Sequence, residues 1–254
     1  MAGGRGRLYL VPAPLDFGCA DQAPLTDVLP DATLVVAARL QHWICENAKT
    51  ARAYLKRVHE LHPLAVPLQQ LKIQELPREV HKQGDNVPGF DARPLLAAAA
   101  EGHDIGLLSE AGMPAVADPG ASVVRTAHES GLAVTALVGP SSLLLALAAS
   151  GFQGQSFAFA GYLPQETAAR MQRLRELESI ALRSGQTQLF IETPYRNLAL
   201  WQAMLEALRP GTRVAVSSGL TLPDASSRCE TAQRWKALPV PVDNRTPAVF
   251  SIGA

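Results

Sequence analysis

The chain has 254 residues, 47% of them hydrophobic and 18% charged, with 23 Lys and Arg against 23 Asp and Glu. That length holds one large domain or two of ordinary size, and the balanced charge excludes a global field that would advertise nucleic acid or a membrane surface, leaving only a local patch open. The longest apolar run, Leu143 to Ala149, falls far short of the roughly 20 residues that span a bilayer.

In chain order, MAGGRGR lacks the apolar segment of a signal peptide and leads straight into a short buried strand, Leu8 to Val11, that ends at Pro12-Ala13-Pro14. Thr33 to Ala37 (TLVVA) reads as a second strand. Asn47 to about Glu60 reads as an amphipathic helix, with Ala51, Leu55, Val58 and Leu61 on one face and Lys49, Arg52 and Lys56 on another. Residues 62–90 read as a long loop rich in Pro, Gln, Gly and Asn. Asp91 is expected to cap a helix that runs to Glu101 and stops at Gly102, before a strand from Asp104 to Leu108. Asp118 is expected to cap the next helix, with Pro119 at its first position and Gly131 at its end, and Ala133 to Val138 is the next strand. The second half is less regular. It reads as a helix from Ser142 to Ser150 closed by Gly151, a strand from Phe157 to Ala160 and a charged helix from Gln165 to Arg183. A strand from Gln188 to Glu192, a helix to Leu208 and strands at Arg213–Ser217 and Ala248–Ile252 follow. Cys19, Cys45 and Cys229 are scattered and odd in number, which fits reduced thiols in a cytoplasmic protein. The six His show no metal-ligand spacing, so no metal is expected.

Alternating β and α segments argue for a parallel-sheet α/β domain over residues 1–138, and the mixed order beyond it for an α+β domain over 139–254. Ligands of such sheets sit beyond the carboxyl ends of the strands. Three strand exits are built from small or rigid residues: Pro12-Ala13-Pro14, Ser109-Glu110-Ala111-Gly112 and Gly139-Pro140-Ser141-Ser142. Glu192-Thr193-Pro194-Tyr195-Arg196 forms a further exit, in which Thr193 has a capping explanation and Glu192 and Arg196 are site candidates.

Taken together, LYLVPAPL, ENAKTAR, LLSEAGMPAVADPG, VGPSS, GYLP and IETPYR resemble, in order, the tetrapyrrole (corrin and porphyrin) methylase superfamily. They are most similar to its branch of ribosomal small-subunit RNA methyltransferases. The resemblance covers nearly the whole chain. It implies two α/β domains, S-adenosylmethionine (SAM) in the cleft between them, a homodimer, and methylation of a cytidine ribose 2′-oxygen. Under it, Pro12, Ser109, Glu110, Met113, Ser142, Leu143 and Thr193 are expected to bind the cofactor, with Glu110 accepting from its ribose hydroxyls or amino group. Asp118 is expected to cap a helix in preference to touching the ligand. Two motifs depart from the RNA branch. Glu46-Asn47-Ala48-Lys49-Thr50-Ala51-Arg52 stands where that branch usually reads Glu-Asp-Thr-Arg, and Ser109-Glu110-Ala111-Gly112-Met113-Pro114 where it reads Ser-Asp-Ala-Gly-Thr-Pro.

Methyl transfer from a sulfonium needs mainly alignment. A ribose hydroxyl also needs a base, for which Glu46 and Glu192 are the candidates. Lys49, Arg52 and Lys56 are either a solvated helix face or a stripe for RNA phosphates, and Arg196 is a further substrate-binding candidate. Three functions stay open: 2′-O-methylation of ribosomal RNA, methylation of a tetrapyrrole or other small molecule, and SAM binding without catalysis.

Overall fold

In the computed structural model, which describes residues 4–77, 79, 80 and 90–254, the chain forms two separate five-stranded sheets. It divides into an N-terminal unit, Met1–Phe17 with Ala23–Pro140, and a C-terminal unit, Gly18–Gln22 with Ser141–Ala254.

The N-terminal sheet consists of β1 (Arg7–Val11), β2 (His42–Cys45), β3 (Lys72–Glu75), β4 (Ile105–Leu108) and β5 (Ala133–Ala136). All pairs are parallel, in the order β3-β2-β4-β1-β5. Leu8, Val11, Ile105, Leu107 and Leu108 are buried, as parallel strands covered on both faces require. Gly106 has no room for a side chain, since a Cβ there would lie 2.6 Å from the Trp43 ring.

Several expectations are corrected here. TLVVA is not a strand: it lies inside helix α2 (Asp31–Arg39), which follows the short helix α1 (Leu25–Val28). Pro30 leads into α2, Asp31 sits at its dipole-favoured start and Arg39 at its end. Thr33, Leu34, Ala37 and Ala38 are buried at helical spacing. The strand that fills the sheet is instead HWIC, β2. The stretch read as a loop holds a 3₁₀ turn, Leu68–Gln70, and β3; positions 78 and 81–89 of that stretch lie outside the described residues. The helix expected from Asp91 is a 3₁₀ turn, Arg93–Leu96, running into one α turn, Ala97–Ala100. Asp91 accepts from the Arg93 backbone N–H at 3.0 Å and pairs with its guanidinium. The amphipathic helix matches its reading closely, as α3 (Ala48–Leu61) with Asn47 at its cap.

The C-terminal sheet is mixed, in the order β6-β7-β10-β8-β9. The strands are β6 (Phe157–Tyr162), β7 (Thr187–Ile191), β8 (Arg213–Ser218), β9 (Ser226–Thr231) and β10 (Ala248–Gly253). Only the pairing of β6 with β7 is parallel. The middle strand, β10, is buried throughout. Ala248, Phe250 and Ile252 enter one apolar cluster and Val249 another, so alternate side chains bind helices to opposite faces. Glu178 is buried and accepts from the Thr212 hydroxyl at 2.5 Å and the Arg209 N–H at 2.7 Å. A buried carboxylate is tolerated when it is paired in this way.

The α3 cap carries a direct test. Asn47 Oδ1 accepts from the Lys49 N–H at 2.8 Å, so Asn47→Ala is expected to cost about 1 kcal/mol. Urea denaturation measures it; an unchanged midpoint would mean that tertiary packing alone holds the helix start.

Candidate functional site

Parallel pairing makes β1, β2 and β4 leave their sheet at the same edge. Beyond β1, Ala13 exchanges both backbone hydrogen bonds with Gly112, at 2.9 and 3.0 Å. Gly112 turns there with φ +69°, where a Cβ would crowd Leu15. Gly139, beyond β5, packs against the Pro12 ring so closely that a Cβ would lie 2.2 Å from it. Two of the exits read from the sequence therefore meet in hydrogen bonds, and the glycine of the third lies against Pro12.

The same edge gathers acids. Cys45 is opposite Leu108 in the parallel register, so Glu46 and Ser109-Glu110 emerge next to each other. Glu46 Oε1 accepts from the Glu110 N–H at 3.3 Å. The Thr50 hydroxyl lies 2.5 Å from Glu110 Oε1 and 2.9 Å from the Asn47 carbonyl oxygen, tying the first turn of α3 to this edge. Glu75 Oε1, beyond β3, accepts from the Ala48 N–H at 2.6 Å. Burial, followed by the charges of Glu75 and Glu110, pushes the Cys45 thiol up to about 12, so it is inert as a nucleophile at neutral pH.

Asp118 belongs to this group by charge, and the helix expected to follow it directly, with Pro119 at its first position, begins later, at Ala121. Helix α5 (Ala121–Glu129, the first after α4, Ala97–Ala100) has Gly120 at its cap position and no side-chain cap. The intervening loop is wound tightly: Gly112, Ala115, Ala117 and Gly120 all have positive φ. A left-handed alanine is strained by about 1–2 kcal/mol, and within this loop Asp118 lies in electrostatic reach of Glu46 and Glu110. Burial, then the charges of Glu46 and Glu110, pushes its carboxyl from 3.8 to about 7. The sequence does carry a signal for it, a single acid inside a run of Ala, Pro and Gly, but the capping pattern before Pro119 explains that acid too. Ser109 is buried, and its Oγ has no hydrogen-bond partner among the described residues. Met113 lies in the loop, and its carbonyl accepts from the Val116 N–H at 3.3 Å.

The stripe on α3 is solvent-facing as read. Lys49, Arg52 and Lys56 are all exposed, and among the described residues none of them is in an ion pair.

The remaining candidates lie in the C-terminal unit. Ser142 and Leu143 open helix α6 (Ser142–Ser150), with Leu143 buried. Glu192 is buried, and its Oε1 accepts from the Thr193 N–H at 2.7 Å, the Thr193 hydroxyl at 3.2 Å and Arg196 at 2.6 Å. Thr193 does not cap the turn that follows; its hydroxyl serves Glu192 instead. Three donors thus converge on this one oxygen of Glu192. Among the described residues no group of three or more His, Cys, Asp or Glu is arranged to hold a metal, and no helix is long and apolar enough to cross a membrane.

A parallel sheet followed by a mixed sheet is an architecture shared with solved methyltransferases. Uroporphyrin-III-C-methyltransferase from Thermus thermophilus aligns with a TM-score of 0.52 at 18% identity, over 98% of this chain and 92% of that one. The methyltransferase CobJ aligns with a TM-score of 0.58 at 17% identity, over 98% and 94%. At such identities the likeness is one of fold. The family profile of the Tetrapyrrole (Corrin/Porphyrin) Methylases matches residues 25–233, and the chain belongs to that family. Among curated relatives, the ribosomal RNA small subunit methyltransferase I of Mesorhizobium japonicum is 31% identical over 84% of this chain and 63% of its own length. Its namesake in Escherichia coli O157:H7 is 27% identical over 85% and 66%. The chain thus spans about two thirds of the length of these relatives.

The raised Asp118 carboxyl has a signed consequence. The folded state holds this proton up to about pH 7, whereas the unfolded chain releases it near 3.8. Stability tied to this group is therefore complete below the unfolded value and is lost as pH rises toward the folded one. Asp118→Asn is expected to abolish that loss, so its melting temperature exceeds that of the unaltered chain by a margin that widens between about pH 4 and 8. Thermal melts across that range check it; a margin independent of pH would mean that Asp118 is ionised in the folded state.

Proposed function

We propose that the chain is a SAM-dependent methyltransferase acting on a ribose 2′-oxygen of ribosomal small-subunit RNA. One arrangement carries the reading. The acid cluster of Glu46, Glu110 and Asp118 adjoins the first turn of α3, and that helix presents Lys49, Arg52 and Lys56 outward without ion-pair partners among the described residues. The names of the curated relatives support the same substrate.

When bound, SAM supplies a methyl group on a sulfonium sulfur, already activated for displacement. The residues at the β4 exit fit such a ligand. Ser109 offers a buried hydroxyl with no protein partner among the described residues, and a buried polar atom of this kind calls for one. Ala111 and Gly112 let backbone approach closely, Glu110 accepts from hydroxyl or amino groups, and Pro12 and Met113 edge the same exit.

A ribose hydroxyl is a weak nucleophile until its proton leaves, and we assign Glu46 to accept it. Asp118 keeps its own proton to about pH 7, which spares Glu46 a further adjacent negative charge. Exposed cations on α3 hold phosphates and orient the strand. With such a substrate the chain works in the cytoplasm, and the homodimer usual for the family is part of the reading.

Two measurements test this. Calorimetric titration with S-adenosylhomocysteine should show binding that Glu110→Ala weakens about tenfold or more and that Glu46→Gln spares. With labelled SAM and small-subunit RNA, Glu46→Gln should lower the methylation rate by about a hundredfold, the size of a missing general base. Transfer to a porphyrin precursor in place of RNA would sink the RNA reading while keeping the methyltransferase.

The stripe has its own test. Lys49→Ala with Arg52→Ala should flatten the dependence of log affinity for RNA on log salt by about 1.4, because each phosphate neutralised on a single strand accounts for about 0.7 of the slope. Filter binding at graded salt reads the slope, and an unchanged slope removes α3 from the RNA surface.

A further inference from the structure

Beyond Lys56 the same face of α3 carries His59: Lys49, Arg52, Lys56 and His59 fall within an arc of about 80° and extend about 15 Å along the axis, from the geometry of the α-helix. Beyond the helix the chain turns back through Leu64 to Gln69, and a groove of about 500 Å³ opens between this return and the helix end. Lys56 and His59 form its polar rim, and Leu64, Val66, Pro67 and Leu68 its apolar walls. The walls are rigidly backed. Leu64, Val66 and Leu68 pack on the core beneath, and the Ala65 N–H donates to the Ala38 carbonyl at 2.9 Å.

His59 is oriented as well. Its Nδ1 accepts from the Leu64 N–H at 3.2 Å, so in the neutral ring Nε2 carries the proton and is the hydrogen-bond donor. Glu60 follows His59 on the helix but does not line the groove.

We propose that this groove is a binding subsite for an unpaired nucleotide of RNA, with the phosphates of the same strand lying along Lys49, Arg52 and Lys56. It rests on the reading of the chain as an RNA methyltransferase. A track of cations leading into an apolar pocket matches the two halves of a nucleotide: the phosphodiester is charged, the base is flat and largely apolar at its faces. Protein recognition of RNA beyond charge relies on splayed, unpaired bases that stack on planar side chains and meet hydrogen-bond donors. His59 supplies the planar ring and the donor, and the Pro67 ring supplies a flat apolar wall. The volume is within the range of small-molecule sites. The groove therefore selects a single-stranded loop or bulge, because a paired base has no free face to offer it.

The test places a carboxylate in the groove without touching its apolar backing. Ala65 lines the groove and is exposed, so Ala65→Glu tests the groove, and His59→Gln tests the ring. Fluorescence anisotropy with a labelled single-stranded RNA, and with a fully paired hairpin stem of equal length, reads affinity. Melting temperature and S-adenosylhomocysteine titration check that each variant is folded and holds the cofactor analogue. The proposal expects both variants to lose about tenfold or more in affinity for the single strand, with little change for the paired stem and none for the cofactor analogue. A thiouridine-labelled strand should photocross-link to the segment from His59 to Gln69. Unchanged single-strand affinity in both variants, or cross-links only elsewhere, overturns the groove while leaving RNA as a substrate. Absence of RNA binding by the unaltered chain overturns the groove and the RNA reading together.

Discussion

The parallel pairing of β2 with β4 is the constraint from which the site follows. With Cys45 set opposite Leu108, the two chains emerge from the sheet in step, and residues 64 apart in sequence, Glu46 and Glu110, share a hydrogen bond. Shifting either strand by one residue would turn its side chains to the other face and remove one acid from the edge. Everything at that edge inherits its geometry from this register. Thr50 reaches Glu110, the start of α3 is tied down, and Asp118 lies within the electrostatic reach of both acids.

The carboxylates of the two units show what such placement does to chemistry. In the C-terminal unit Glu178 and Glu192 are buried, and each is met by hydroxyl, backbone and guanidinium donors. Donors of this kind satisfy the acceptor oxygens of a buried carboxyl group. In the N-terminal unit burial raises the Asp118 carboxyl, and the like charges of Glu46 and Glu110 add to the same effect. A carboxyl shifted toward neutral pH by burial and like charge is the sort that functional sites accumulate. The strained loop from Gly112 to Gly120 follows the same logic, since left-handed alanines persist only where surrounding structure holds them.

Much of the architecture was legible in the residues. Periodicity located α3 to within a residue, and Gly151 marked the end of α6 because a left-handed residue closes a helix there. Ordered motifs identified the family. The short apolar run TLVVA misled, because four or five such residues satisfy either a strand or a buried helix, and Pro30 and Asp31 decided for the helix. β2 and β3 were missed for the complementary reason: four-residue strands are completed by neighbours in the sheet, which a local pattern does not contain.

For the site, sequence by itself determined which residue types stand at the strand exits, since exit residues follow directly from where apolar runs stop. It determined the cation stripe too, because helical spacing is a local property. Tertiary structure alone decided how the acids divide. Asp118 sits before a proline, as caps do, yet the helix begins only at Ala121 and the Asp118 carboxyl feels the charges of Glu46 and Glu110. Glu192 stands at a strand exit, as catalytic acids do, yet Arg196 and Thr193 close on one oxygen. The physical reason is burial and pairing: Glu46 and Glu110 meet only because β2 and β4 pair, and the donors of Thr193 and Arg196, though local in sequence, turn onto Glu192 only where the fold buries it.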